Sequence, residues 1–311
     1  MKLAVPDLIT NSYFPAVAAA ELGFFKRNGL DIEVELVAPA GRTYEALRDG
    51  TADFVVAEAH AGLAAFAEWR GMKLLCALSQ GMYWFLVMRA ELAGARGDLS
   101  VVRGRRIAAA PWVEMGLRRL LIEAGIDPVR DEVRIAPLEG SLGPKVNIGV
   151  TVARALEEGR IDGFWANGMG AELAVRGGFG KIVLDVRRGD GPAAAFDYTL
   201  PTLATSDALI ARSPETAAAA ARAIAQTLVA LRADPSLATK AARSVFPPQE
   251  TELIAELVRR DLPYYDPALA PKMVANMNQF CRDMGVLSGH PAYEDVVASN
   301  LFPLWMEPAG A

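Results

Sequence analysis

Cysteine and histidine are both scarce in this chain of 311 residues. The two cysteines, Cys76 and Cys281, lie far apart in apolar patterns, and nothing in the sequence brings them within disulfide-bonding distance. We therefore expect two buried free thiols. The two histidines, His60 and His290, have no metal-like spacing to either cysteine, so the sequence predicts no metal site and no other cofactor.

Positive charge is neither abundant nor clustered. The chain has 32 Lys and Arg residues against 37 Asp and Glu residues, a formal net charge of -5, and no basic run. A protein that binds nucleic acid needs a basic patch to neutralise phosphates, so we expect no nucleic-acid partner. An uninterrupted apolar run of about 18 residues is also missing, which predicts that the chain does not span a membrane.

The N-terminus has no export-signal pattern. Met1-Lys2-Leu3 leads directly into a strand-like run, without the charged, apolar and cleavage segments of a signal peptide. Two interpretations stay open. Either the protein is cytoplasmic and Met1 is its native start, or it is periplasmic and Met1 replaces a signal peptide that was removed.

The residues that are present predict a two-domain α/β protein. Hydrophobic residues make up 52% and charged residues 22% of the chain, a globular balance. At roughly 150 residues per domain, the length predicts about two domains. Short apolar strands alternate with single helices, which indicates parallel βαβ units. We expect helices at 13–27 and 61–70, and a mainly helical C-terminal segment with helices at 214–232, 235–245, 248–260, 267–284 and 290–299.

A short sequence pattern occurs twice. Residues 46–53 and 155–162 both read Ala-Leu-x-x-Gly-x-x-Asp and both precede an apolar strand. The glycine is expected to end a helix in a left-handed conformation, and the aspartate to open the next strand. Two copies in corresponding places predict two similar lobes.

The chain resembles the type II periplasmic solute-binding proteins of ABC importers, in the branch that binds sulfonates, taurine, nitrate and thiamine-pyrimidine precursors. The resemblance implies an α/β fold of two lobes, 1–86 plus 203–311 and 87–202, joined by crossing strands near 83–89 and 197–204. It also implies a solute enclosed in the cleft by hinge closure, a monomer, and importer membrane subunits as partners if the protein is exported. The stretches that carry it are 18–35, 46–54, 102–112, 120–138, 155–165 and 213–231.

In this fold, the first lobe contributes ligand contacts at the carboxyl ends of its strands. Asn11, Ser12 and Tyr13 follow the first strand, where they either line the cleft, with helix N–H groups that favour anions, or only cap the helix. Arg42 either pairs with an acidic group of the solute or is a surface residue. His60 is expected to contact the solute at the end of the third strand, with Glu58 orienting it or binding a cationic group.

The second lobe contributes mainly aromatic candidates. An indole makes a flat wall for a ring, but each of these side chains could also be packing inside the protein. Trp165 and Asn167 are the preferred contacts, because the resemblance implies a ligand-facing loop there. The other candidates are Tyr83 and Trp84 at the first crossing, Trp112 and Glu114 at the start of a helix, and Tyr198 at the second crossing.

The aromatic residues favour a small planar or aromatic organic solute, neutral or acidic, over a bare inorganic ion. The first hypothesis is a solute-binding protein of an ABC-type importer. The alternative is a cytoplasmic enzyme on the same fold that acts on a small aromatic or heterocyclic substrate, with His60 as acid/base. A ligand-sensing domain is a third reading. The cysteine-rich iron motif of related pyrimidine synthases has no counterpart in this chain.

Overall fold

The chain divides into two compact units, which we call the first unit (Met1–Gln80 with Leu200–Ala311) and the second unit (Gly81–Thr199). The structure is a computed structural model and describes residues 1–8, 10–142, 147–246 and 248–306. Both changes of unit come a few residues before the predicted ones at 86/87 and 202/203. The reason lies in strand pairing, because Phe85–Arg89 pairs within the second unit and Pro201–Ser206 within the first.

Each unit contains one five-stranded sheet covered by helices. The strands are β1 (Lys2–Val5), β2 (Glu33–Leu36), β3 (Phe54–Glu58), β4 (Met72–Ala77), β5 (Phe85–Arg89), β6 (Arg106–Ala109), β7 (Arg134–Ala136), β8 (Gly163–Ala166), β9 (Gly180–Asp185) and β10 (Pro201–Ser206). The helices are α1 (Phe14–Glu21), α2 (Phe24–Arg27), α3 (Ala40–Arg48), α4 (Val113–Glu123), α5 (Ile148–Glu157), α6 (Gly168–Arg176), α7 (Asp207–Arg212), α8 (Pro214–Ala233), α9 (Ser236–Ala242), α10 (Pro248–Asp261), α11 (Pro271–Asp283), α12 (Tyr293–Val296) and α13 (Phe302–Trp305).

The two sheets have the same topology. The strand order is β2-β1-β3-β10-β4 in the first unit and β7-β6-β8-β5-β9 in the second. In each sheet three strands run parallel, and the strand that follows a change of unit, β10 or β5, is inserted antiparallel to its neighbours. This arrangement confirms the predicted α/β fold class with its two similar halves.

The repeated sequence pattern performs the same structural task in both units. Gly50 and Gly159 end α3 and α5 in the left-handed region, at φ 72° and 71°. The aspartate that follows then binds the first residue of the neighbouring strand. Asp53 accepts the backbone N–H of Lys2 at 2.8 Å, and Asp162 accepts that of Arg106 at 2.9 Å. Each repeat therefore ends a helix and aligns β3 with β1, or β8 with β6.

Several predicted helices differ from the structure. The helix predicted at 13–27 is two helices, because Gly23 takes φ +76° between α1 and α2. The helix predicted at 61–70 is wrong, since three-ten turns occupy Ala59–Ala64 and Ala67–Trp69. In that region Glu68 and Trp69 both have positive φ, which an α-helix cannot accommodate.

The C-terminal helices are shorter than predicted, and one helix was missed. Helix α11 begins only at Pro271, a residue suited to the first helical position because its missing N–H needs no partner there. Helix α12 covers only Tyr293–Val296 of the predicted 290–299. The unpredicted α6 starts among glycines. A Cβ at Gly170 would lie 2.7 Å from the carbonyl oxygen of Gly149, so glycine allows α5 and α6 to approach closely.

Candidate functional site

In the first unit, Asn11 and Ser12 bind a residue from a distant part of the chain. Helix α1 has no side-chain cap, so neither residue has the capping role that the sequence also allowed. Instead the Asn11 amide donates to the Asp261 carboxylate, and the Ser12 hydroxyl donates to the same oxygen at 3.2 Å. The Tyr265 hydroxyl donates to the backbone oxygen of Asn11 at 2.7 Å. The start of α1 is thereby fixed to the end of α10.

Tyr13 and Glu58 form a second buried polar contact at this edge. Glu58 is the last residue of β3 and is 1% exposed. The Tyr13 hydroxyl donates to Glu58 Oε2 at 2.5 Å, and the Tyr44 hydroxyl donates to the Glu58 backbone oxygen at 3.2 Å. Burial, together with the negative charge of Glu58, raises the pKa of Tyr44, so that this phenol stays protonated.

His60 lies in the three-ten turn that follows β3 and is completely buried. Its imidazole packs edge-on against Phe280 of α11, with the ring centroids 5.4 Å apart. Since Ala59 alone separates it from Glu58, both side chains belong to the carboxyl edge of the first sheet. The structure thus brings together Asn11, Ser12, Tyr13, Glu58 and His60, as the sequence predicted.

Arg42 differs from these residues. Its side chain is 70% exposed and forms an ion pair with Glu45 on the same helix, at 2.9 Å. This is the surface position that the sequence left open as the alternative. An exposed pair of this kind contributes little to stability, typically about 0.2–1 kcal/mol.

In the second unit, three strand ends bring the aromatic candidates to one edge of the sheet. Strand β5 is antiparallel, and its first residue Phe85 pairs with Ala166 at the end of β8 and with Asp185 at the end of β9. Tyr83 and Trp84, which precede β5, therefore lie at the carboxyl edge of the parallel strands. This is the edge at which ligands bind in open α/β sheets.

The aromatic rings at this edge form a continuous cluster. Tyr83 and Trp84 have centroids 4.9 Å apart, and Trp84 meets Trp165 edge-on at 6.2 Å. Trp165 is 0% exposed, and its indole N–H donates to the carbonyl of Val113 at 3.1 Å. Because Tyr83 and Trp84 are also buried, a solute can reach these rings only if the residues that cover them move.

Arg187 belongs to the same cluster, and the sequence analysis missed it. It follows β9, is 9% exposed, and places its guanidinium 5.5 Å from the centroid of Tyr83. One of its nitrogens also donates to the carbonyl of Gly81 at 3.3 Å. A basic residue directly after a strand that ends at this edge was the available signal. The cation and the ring attract each other electrostatically.

Trp112 and Glu114 begin α4. Trp112 has φ +71°, an uncommon conformation for a residue with a side chain. Among the described residues, none donates a hydrogen bond to the buried Oε2 atom of Glu114. Burial raises the pKa of this carboxyl group, and its own backbone N–H and the charge of Arg118 offset the increase only in part.

The last two candidates have structural partners. Asn167 caps α6, since its side-chain oxygen accepts the N–H of Gly170 at 3.3 Å. The Tyr198 hydroxyl donates to the carboxylate of Glu123 at the end of α4. Both side chains are buried. A cap at the carboxyl edge can also contact a ligand, so these partners leave the predicted contacts untested.

Cofactor and membrane features were also sought in the described part of the chain. It contains no group of three or more His, Cys, Asp or Glu residues that could hold a metal ion. Cys76 and Cys281 are free and buried, and burial raises the pKa of both thiols. None of the described helices has the length and apolar character needed to cross a membrane.

A surface cavity of about 470 Å³ lies elsewhere in the first unit. It is lined by residues that include Arg70, Lys73 and His290, and it opens where β4 begins. Because β3 and β4 both run antiparallel to β10, the start of β4 is at the edge opposite Glu58. The cavity is therefore separate from the candidate site.

The sequence of the chain matches a family model. The model of the NMT1/THI5-like family matches residues 10–238, well over half of the chain. The chain belongs to the NMT1/THI5-like family. None of the curated proteins matches this family member.

Solved structures share its fold. The alkanesulfonate-binding protein SsuA from Xanthomonas axonopodis pv. citri bound to MOPS is 14% identical, with a TM-score of 0.69 and coverage of 97% of this chain and 96% of that chain. The periplasmic nitrate-binding protein NrtA from Synechocystis PCC 6803 is 14% identical, with a TM-score of 0.70 and coverage of 97% and 86%. The enzyme DszB in complex with biphenyl-2-sulfinic acid is 15% identical, with a TM-score of 0.66 and coverage of 98% of both chains. At these identities the likeness shows the fold of this NMT1/THI5-like protein.

Proposed function

We propose that the protein is a solute-binding protein of an ABC-type importer and that its solute is a small planar organic molecule. The observation that carries the proposal is the convergence of the predicted contact residues. Five residues from two stretches meet at the carboxyl edge of the first sheet, and an aromatic cluster occupies the same edge of the second. The family and the solved binding proteins of the same fold support it.

The aromatic cluster favours a ring over an inorganic ion. Tyr83, Trp84 and Trp165 present polarisable ring faces, and each aromatic pair is worth about 0.5–1.5 kcal/mol beyond its buried area. An ion such as nitrate gains from hydrogen-bond donors and gains little from indole faces. The names printed for two similar structures, MOPS and biphenyl-2-sulfinic acid, are those of organic molecules bound to those proteins.

Compartment and partners follow from this proposal. A binding protein of an importer works outside the cytoplasmic membrane as a monomer and delivers its solute to the importer membrane subunits. We therefore propose a periplasmic location, which is tested by fractionating cells that express the full gene from its own start site. Enclosure of the solute by hinge closure of the two units stays a prediction.

A comparison of probes and variants tests the function. Thermal-shift measurements with benzoate, benzenesulfonate and nitrate should show stabilisation by the ring compounds and none by nitrate. Calorimetry on Trp165→Ala should then show binding weaker by about 1–3 kcal/mol, whereas Arg42→Ala, which removes an exposed charge, should change it less. Because truncating a buried Trp also costs about 3–5 kcal/mol of folding stability, Trp165→Phe serves as a milder companion variant. The reverse order would indicate a small anion as ligand.

One observation favours a second candidate, a cytoplasmic enzyme on the same fold. Glu58 and His60 are both buried at the end of β3, a placement suited to proton transfer, and the similar DszB is an enzyme. In an enzyme, His60→Gln should abolish turnover of a candidate substrate while binding survives. In a binding protein with an acidic solute, the same variant should weaken binding and remove its pH dependence near the reference His pKa of about 6.5. If neither changes, His60 is a packing residue.

A further inference from the structure

Glu114 has an unmade hydrogen bond in the interior of the second unit. Its Oε2 atom is buried, and no described residue donates to it. A buried acceptor without a partner costs about 1–3 kcal/mol, and more when it is charged. Buried polar groups in native proteins are nearly always hydrogen-bonded, so such an exception points to a partner that the chain itself does not supply.

The position of Glu114 places this carboxyl group at the candidate site. It lies in the first turn of α4, directly after β6 and Trp112. Long side chains on a helix point back toward its N-terminus. The carboxyl group is therefore directed toward the carboxyl edge of the second sheet, where the aromatic cluster lies.

Indole rings border the same helical turn. The carbonyl of Val113 accepts the indole N–H of Trp165 at 3.1 Å. A Cβ at Gly116 would lie 3.3 Å from Cζ3 of Trp84, so the helix backbone packs closely on that ring. This apolar surrounding explains the burial that raises the pKa of Glu114.

The nearest cation on the helix does not satisfy the carboxylate. Arg118, one turn after Glu114, donates through Nη2 to the carbonyl of Ile135 at 2.7 Å. Its charge acts on Glu114 through space, and Oε2 still lacks a donor. The missing donor must then come from a molecule that enters the site.

We propose that Glu114 accepts a hydrogen bond from an N–H group of the solute, which is therefore an amino- or amidino-substituted planar ring. The inference rests on the proposed function, because it assumes that the aromatic cluster receives a ring. The two features act together: the rings hold the plane of the solute, and the carboxylate selects the edge that carries N–H. An acidic substituent at this edge would face the carboxylate and be repelled.

Three probes of equal shape test this selection. Benzamidine carries a cationic N–H donor, benzamide a neutral one, and benzoate an anionic acceptor on the same ring. Calorimetry on the unmodified protein should give the affinity order benzamidine, benzamide, benzoate. A protein that binds benzoate more tightly than benzamidine overturns the inference but leaves the aromatic site standing. If none of the three binds at millimolar concentration, the proposal of a planar solute fails as well.

A charge-matched pair of variants assigns the effect to Glu114. Glu114→Gln should lower the affinity for benzamidine at least tenfold and leave that for benzoate unchanged or higher. Glu158→Gln removes the same charge from a surface pair with Arg160 and should change neither affinity. Far-UV circular dichroism and the melting temperature verify folding. Unchanged benzamidine affinity in a folded Glu114→Gln protein overturns the inference, while loss of benzamidine binding in Trp165→Phe alone retains the proposed function.

Discussion

Replacing Asp162 with asparagine should destabilise the protein more than the same change at its repeat counterpart, Asp53. Asp162 accepts the backbone N–H of Arg106 at 2.9 Å and also its guanidinium, through Nε at 3.1 Å and Nη2 at 3.0 Å. The carboxylate of Asp53 accepts the backbone N–H of Lys2 at 2.8 Å. The Lys2 side chain instead pairs with Glu35. The two aspartates thus share one task but differ in their charged partner.

The size of the difference follows from these bonds. Hydrogen bonds to charged groups are worth about 1.5–3 kcal/mol, but the Arg106 side chain is half exposed and water screens part of its charge. We expect Asp162→Asn to cost about 2 kcal/mol at neutral pH and Asp53→Asn about 1 kcal/mol or less. Asparagine retains an oxygen for the backbone N–H in both cases, so the difference reports the bonds to the guanidinium.

The pH dependence gives an independent check. The Arg106 guanidinium lowers the pKa of Asp162 in the folded protein. The stability contributed by a lowered pKa is present above the unfolded value of about 3.9 and is lost as the pH falls through the folded value. Urea unfolding, with hydrogen exchange of the β6 and β8 amides to report on the second unit, should show the penalty of Asp162→Asn shrinking below about pH 4. Equal penalties at both aspartates, or one that is constant with pH, would refute the reasoning.

Three further variants test individual contacts. Gly81→Ala should cost about 1–3 kcal/mol, because Gly81 has φ +73° and an added Cβ would lie 2.4 Å from the Phe196 ring; adding Phe196→Ala should restore the part due to the clash, and a full loss in the double variant would contradict it. Tyr13→Phe should cost about 1–3 kcal/mol in urea unfolding, since it removes the donor to buried Glu58, and an unchanged midpoint would argue against that bond. The raised pKa of Glu114 means that stability is lost as pH rises above its unfolded value, so Glu114→Gln should raise the melting temperature more at neutral pH than at about pH 4, and an equal change at both would show that its ionisation carries no cost.

The chain order of strands and helices predicted most of the fold because the signals are local. A glycine that ends a helix and an aspartate that opens a strand act within a few residues, and both repeats behave as expected. The helix predicted at 61–70 failed for the opposite reason. Its apolar spacing fits a helix, but tertiary packing holds Glu68 and Trp69 at positive φ.

The sequence by itself determined the α/β class, the duplicated pattern and the edge at which most candidate residues lie. Only the tertiary structure decided their partners. Asn11 and Ser12 bind Asp261, some 250 positions along the chain, and Arg187 joins the aromatic rings at the start of the second unit. Periodicity and capping signals reflect interactions between residues close in sequence, whereas such long-range contacts depend on how folded elements pack, which no local pattern records.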